Sequence, residues 1–235
     1  MNLKISLENI GKLSAPSKMN HCYSYSIPAT KCITGAKLAK IKNSVCNGCY
    51  ALKGRFMFSN VQNALTRRYN ILNDALNDKK KEKIFIKSFV YALKHYEKKY
   101  KFFRWHDSGD LQSVKHLKLI AKIASLTPNI KHWIPTREYN IYNTYLKTEK
   151  QPKNLVVRVS GHMVNKSAPK SFKNVSNVLN GAKLPGFNCE ANKNYLKPGE
   201  TCKKCGTKLS KGGVHCCTCT ACWNPKVKTI NYYYH

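Results

Sequence analysis

The 235-residue sequence predicts an α/β fold with parallel strands and a cysteine-rich, metal-binding C-terminal segment. Three observations predict it. KFFRWHDSGD, NIKHWIPTRE and NLVVRVSGH each run from a short apolar strand into a polar turn, at intervals of roughly 25–30 residues with helical patterns between, as parallel strands with right-handed crossovers require. The polar clusters all stand at the C-terminal ends of those strands, the side where parallel α/β architectures bind ligands. Finally, CKKCGTKLSKGGVHCCTCTACW places Cys202, Cys205, Cys216, Cys217, Cys219 and Cys222 among lysines, glycines and threonines. Buried free cysteines behave as small apolar residues, and this stretch offers no apolar run for them to join.

Length and composition bound the rest. The chain suffices for one sizeable core with a metal-stapled appendage, divided as residues 1–185 for the core and its N-terminal cysteine loop and 186–235 for the cysteine-rich segment packed on the same domain. No apolar run approaches the ~20 residues of a spanning helix, and MNLKISLENIGK is followed by no apolar leader core. The expectation is a protein of a reducing cytoplasm, away from membranes. Eleven cysteines, an odd number, then argue for thiolates on metal rather than a disulfide framework. The net charge of +31, from 42 Lys and Arg against 11 Asp and Glu, attracts nucleic acid or another polyanion by counterion release. The same lysine excess, alongside abundant Asn, Ile and Tyr, also fits an AT-rich coding bias.

Taken in order, residues 1–20 read as polar and irregular. In YSYSIPA, Tyr23, Tyr25 and Ile27 alternate as a strand that Pro28 ends. From Cys32 to Gly54, TG, NS, NG and KG steps predict a loop that carries Cys46 and Cys49 in CNGCY. Val61, Ala64, Leu65, Ile71, Leu72, Ala75 and Leu76 recur at three and four, predicting a helix with Ser59 or Asn60 as its cap. A second helix, about 83–100, carries Ile84, Phe85, Phe89, Ala92, Leu93 and Tyr96 on one stripe. The three strand and helix units follow. After Pro169 a short helix is expected over Ser171 to Leu179, and the tail KVKTINYYYH reads as a terminal strand.

The strand ends carry the candidate chemistry. In HDSGD, short polar residues and a glycine let backbone and carboxylates approach a ligand closely, with a helix-entry turn as the plain alternative. In PTRE, Arg137 offers a bidentate clamp for a carboxylate or phosphate, or a partner for a nearby acid. Asp107, Asp110, Arg137 and Glu138 are therefore the catalytic candidates, and Ser108, Gly109, Asp110, Arg137 and Ser160 the candidates for holding a cofactor. Arg158 lies among the apolar positions of its strand and is expected to pair with Asp107 or Glu138. His162 and His215 are further candidate ligands. Two metal grammars overlap in the tail. Cys202 and Cys205 with Cys216 and Cys219 spell a short zinc ribbon, while Cys216, Cys219 and Cys222 spell the Cys-x2-Cys-x2-Cys run of a cubane iron-sulfur site.

The ordered set CNGCYALKGRFMFSNVQNA, FRWHDSGDLQS, WIPTRE, NLVVRVS, the Cys189 segment, CTCTACW and NYYYH resembles the gene-product-eighty-eight-like family of phages, which also has members in large DNA viruses. The resemblance implies a partial (β/α) barrel like that of radical S-adenosylmethionine proteins, with a cysteine-bound 4Fe-4S cluster. It sets Cys32, Cys46 and Cys49 where those enzymes hold their cluster and Ser108 to Asp110 where they hold the amino group of S-adenosylmethionine. Thirteen residues separate Cys32 from Cys46, however, where those enzymes have three. For the cluster, either Cys46 and Cys49 meet Cys219 and Cys222 across the barrel mouth, or Cys189, Cys216, Cys219 and Cys222 hold it alone, with Cys202 and Cys205 as an added pair suited to zinc. Three functions follow as expectations: a viral iron-sulfur protein with a redox partner, a radical S-adenosylmethionine enzyme, or a zinc-stapled nucleic-acid-binding protein. The host cytoplasm and the virion are the expected locations.

Overall fold

Strand alternation gives one sheet two unlike faces, and each face buries a different part of the chain. The computed structural model describes residues 2–19 and 21–234. Strands β1 (Cys22–Tyr25), β2 (Phe102–Trp105), β3 (Lys131–Thr136), β4 (Leu155–Ser160), β5 (Val175–Leu179), β6 (Phe187–Asn188) and, after the small β7 (Tyr195–Leu196) and β8 (Gly213–Val214), β9 (Thr229–Tyr233) are the extended elements. Seven of them form one sheet in the order β1-β2-β3-β4-β5-β9-β6. Every pairing in it is parallel. β7 and β8 form a separate antiparallel pair. Among the described residues no pairing joins β6 back to β1.

The helices are α1 (Leu3–Ile10), α2 (Thr34–Leu38), α3 (Ser59–Asn77), α4 (Lys79–Tyr96), α5 (Val114–Leu126) and α6 (Tyr139–Thr148). None among the described residues is long and apolar enough to cross a membrane. Capping fixes several of their starts. Asp78 accepts from the amides of Lys80 and Lys81 at the head of α4, and Ser113 accepts from His116 N at the head of α5. α1 corrects the reading of residues 1–20 as irregular. Asn2 caps it, Leu3, Leu7 and Ile10 give it an inward stripe, and Gly11 ends it in the left-handed conformation. Eight residues are too few for that period to stand out in the sequence.

On the helix face, Tyr25, Phe103, Trp105, Ile134, Val157 and Val159 meet Phe85, Phe89, Leu117, Ile120 and Tyr145 in the main core. Each such fully buried side chain contributes on the order of 1.5–3 kcal/mol. The intervening residues point the other way, and there the tail covers them. Trp223 packs on Trp133 and Phe102 at ring distances of 5.3 and 5.2 Å, and its indole donates to the Phe103 carbonyl.

Two further expectations change. The segment before Leu179 is a strand and not a helix, because buried Asn177 bonds across to Asn231 of β9 and Ser176 to Ser160 of β4. Those polar groups are satisfied between strands, where a helix would turn them to solvent. Arg158, fully buried, meets neither Asp107 nor Glu138. Its guanidinium donates to the carbonyls of Val175, Val227 and Lys228 at 3.1–3.3 Å and reaches those of Ala221 and Cys222 at 3.5 Å. The arginine therefore ties the tail to the sheet. Residues 186–235 also supply β6 and β9 to that sheet.

Candidate metal centres

The loop after β1 is laid across the C-terminal ends of its neighbours by bonds from each of them. Glu138, just past β3, takes both the amide and the hydroxyl of Thr34, at 2.8 and 2.7 Å. Gln112 donates to Lys31 O, Val45 N to His162 O past β4, and the Tyr234 hydroxyl to Asn47 O past β9. The Tyr50 hydroxyl bonds the Asp107 carbonyl past β2. This bracing brings Cys32, Cys46 and Cys49 within reach of one another's charge, despite the long gap between the first two. Gly35 lies between two of them. A Cβ there would sit 3.0 Å from Cys32 Cβ, with Cys32 Sγ and Cys46 Sγ at 3.5 and 3.6 Å, so both cysteines pack against the glycine.

Burial pushes the Cys32 thiol up to about 12, with Asp110, Cys46 and Cys49 adding to the rise and Arg137 opposing it. Cys46 moves up by burial too, again against Arg137. Such thiols stay protonated at neutral pH unless a metal takes the sulfur, since a coordinating thiol is deprotonated outright. Arg137 Nε is buried there without a hydrogen-bond partner.

The other strand-end candidates have internal tasks. Asp110 accepts from Thr136 Oγ1, Arg137 N and Leu111 N at 2.6–2.8 Å, which ties the ends of β2 and β3 together. Burial nevertheless raises its carboxyl to about 6, with those three bonds pulling the other way. Ser108 donates to Ile27 O, and Gly109 has φ +81 and no room for a Cβ, which would meet Ile27. Ser160 accepts from Ser176, and its carbonyl from Tyr139. His162 stacks on Tyr139 at 4.1 Å, and its Nε2–H donates to Arg137 O. Asp107 is half-buried, and its charge is felt by Arg104.

A second set lies on the tail-covered face. Cys189, Cys216, Cys219 and Cys222 feel one another's charge, and Cys22 of β1 is beside them. Burial lifts Cys216 to about 12 and Cys222 to about 11, the latter against a hydrogen bond with the Tyr232 hydroxyl at 3.1 Å. Arg104 and Arg158 are the cations here. Each has a buried Nε with no partner, and among the described residues neither forms an ion pair with a carboxylate, although the Asp107 charge reaches Arg104. Cys46 and Cys49 thus fall with Cys32, and Cys219 and Cys222 with Cys189 and Cys216.

The third set is the most compact. One ligand atom from each of Cys202, Cys205, His215 and Cys217 falls within 4.8 Å of all the others, close enough to hold a metal ion together. The turn that presents the first two closes on itself through Cys202 N to Thr207 O and Gly206 N to Cys202 O, both 2.8 Å. Sequence reasoning paired Cys202 and Cys205 with Cys216 and Cys219 instead. The missed signal lay in VHC: β8 ends at Val214, and the chain then carries His215 and, at a left-handed residue, Cys217 to the Cys202 turn.

Residues 3–225 match the family described as Gene product 88. The chain belongs to this family. All eleven cysteines lie within the matched span. No curated protein and no solved structure matches the chain.

Proposed function

We propose that this member of the Gene product 88 family is a viral iron-sulfur protein of redox function, with a 4Fe-4S cluster on Cys189, Cys216, Cys219 and Cys222 and a second cluster on Cys32, Cys46 and Cys49. One observation carries the reading. Seven cysteines gather into a set of four beside Arg104 and Arg158 and a set of three beside Arg137, and the buried Nε of each arginine has no partner. A thiolate-bound cubane is anionic, and its sulfurs would give these buried Nε groups the acceptors they lack. Arg104 and Arg158 beside the tail set make its reduction easier, since an added electron is stabilised by nearby positive charge. The lysine-rich surface gives the protein salt-sensitive affinity for polyanions, and the host cytoplasm is its expected place of work. The test is anaerobic purification with iron and sulfide analysis and electron paramagnetic resonance. Iron in both sets, lost separately in Cys32→Ser and Cys222→Ser, is the expected result. Colourless protein that holds only zinc would sink the proposal.

A second reading rests on the count of three at the strand-end set. Three thiolates leave one iron of a cubane without a protein ligand, the condition for S-adenosylmethionine to bind it. The consecutive parallel order β1-β2-β3-β4-β5, with helices packed on one face, supports this reading, since a partial (β/α) barrel would be wound the same way. In this reading Asp110 works by fixing Arg137 and Thr136, since its oxygens already accept three bonds within the protein. With S-adenosylmethionine and a one-electron reductant the loaded protein would release methionine and deoxyadenosine. Neither product from a fully loaded cluster would count against it.

A further inference from the structure

We infer that Cys202, Cys205, His215 and Cys217 hold one zinc ion in a closed, structural site, and that this site sets the direction in which neighbouring Cys216 points. The spacing is that of a single ion. Cys202 Sγ and Cys217 Sγ are 3.8 Å apart, and two thiolates on tetrahedral zinc at ~2.3 Å stand about 3.8 Å apart. A cubane binds each thiolate to a different iron and needs the sulfurs spread wider. Histidine with three cysteines is a zinc donor set, and four protein ligands leave no position for water or substrate.

The histidine is prepared for this role. His215 is 2% exposed, and its Nδ1 lies 2.7 Å from Asn194 O, a group that only accepts. The proton is therefore on Nδ1 and the lone pair on Nε2. That Nε2 is buried and makes no hydrogen bond of good geometry, and with Nδ1 turned to Asn194 it is the nitrogen His215 has free for the compact set. A carbonyl behind the ring is the arrangement by which metal-bound histidines are oriented. The Thr207 hydroxyl, 3.2 Å from Cys205 Sγ, donates to it once the sulfur is a thiolate.

The consequence for Cys216 follows from the backbone. Cys217 has φ +50, the left-handed region that a non-glycine residue occupies only when its surroundings hold it there. At that turn Cys217 faces Cys202 while Cys216 faces Cys189 and Cys222. Cys216 N is fixed to Lys18 O at 2.9 Å, and His215 N to Asn194 O at 3.1 Å. Two adjacent cysteines thus serve two different sites. The zinc assignment stands on its own; only the use of Cys216 as an iron ligand rests on the proposed function.

The experiment uses the full chain, with metal analysis, cobalt substitution and amide hydrogen exchange. Expected are one zinc per chain and a tetrahedral cobalt spectrum with thiolate charge transfer. His215→Cys should keep the metal and shift that spectrum to an all-sulfur pattern, whereas Cys202→Ser with Cys205→Ser should release it. On release the His215 and Cys216 amides should exchange at least roughly tenfold faster while the α4 and α5 amides keep their rates. Iron in place of zinc, or no metal, overturns the assignment. Zinc loss with unchanged exchange at His215 and Cys216 overturns the positioning role. Zinc without iron leaves the inference standing and removes the cluster proposal, so the two fail separately.

Discussion

Replacing Gly109 by alanine tests whether the SGD turn is a latch within the protein. Gly109 has φ +81, and an added Cβ would lie 2.3 Å from Ile27 Cγ1 and 2.8 Å from Ile27 O. The left-handed backbone alone costs an alanine about 1–2 kcal/mol. The clash adds about 1–3 kcal/mol of overpacking. Ile27 cannot swing aside cheaply, because its N bonds Ser108 O and its O accepts from Ser108 Oγ, at 3.2 and 3.0 Å. The loss should therefore be about 2–5 kcal/mol, or on the order of 10 °C in Tm for a chain of this size. Ile27 leads directly into the turn that carries Cys32, so metal retention by the three-cysteine set should fall as well. Urea unfolding of purified wild-type and G109A chains reads the first effect and metal analysis the second. A loss below about 1 kcal/mol would refute the reasoning, because neither the strain nor the clash could then be real.

Arg158→Met should change the stability of metal-free protein by less than about 2 kcal/mol. Val227 O, Lys228 O and Ala221 O keep other donors in Asn174 Nδ2, Val175 N and Asn224 N. The same variant should lose metal from the four-cysteine set; a metal-free loss above about 4 kcal/mol would instead make the arginine a purely structural tie. Asp110 titrates near 6 in the folded chain and near its ordinary value when unfolded, so its contribution is greatest below about pH 4 and is lost as pH rises through 6. The stability difference between wild type and Asp110→Asn should fall across that window by on the order of 3 kcal/mol, and a flat difference would contradict it. His132 has the opposite sign. Burial lowers it to about 3, so its contribution is present above about pH 6.5 and fades as pH falls toward 3. Nδ1 accepts from the Trp105 indole and Nε2–H donates to Thr127 Oγ1. His132→Gln should therefore flatten part of the acid limb in urea midpoints measured from pH 7 to 4.

Much of the fold was legible wherever the periodic pattern was long. α3, α4 and α5 announce themselves by apolar residues at three and four, and β1 to β4 by alternation next to polar turns. α1 was too short for its period to register. β5 was misread because Asn174, Ser176 and Asn177 look like solvent-facing residues, and only partners on β4 and β9 make their burial tolerable. Arg158 was recognised as an arginine in need of partners, but carboxylates were the obvious guess. Carbonyls from a segment sixty-odd residues away in sequence filled that need.

The cysteines divide in the same way. By itself the sequence determined that cysteines collect at the C-terminal ends of parallel strands and in the tail, because short-range spacing and strand order are local facts. Which sulfurs meet was decided only by the tertiary structure. Thirteen residues between Cys32 and Cys46 specify no distance until the ends of β2, β3, β4 and β9 brace the loop between them. Cys216 and Cys217 are neighbours in sequence and keep different company: at the left-handed Cys217 the chain sets one sulfur by Cys202 and leaves Cys216 packed with Cys22 and Trp223 against the sheet. Spacing fixes the ligands only when the chain between them follows one repeating geometry, and here folding replaces that geometry with a turn.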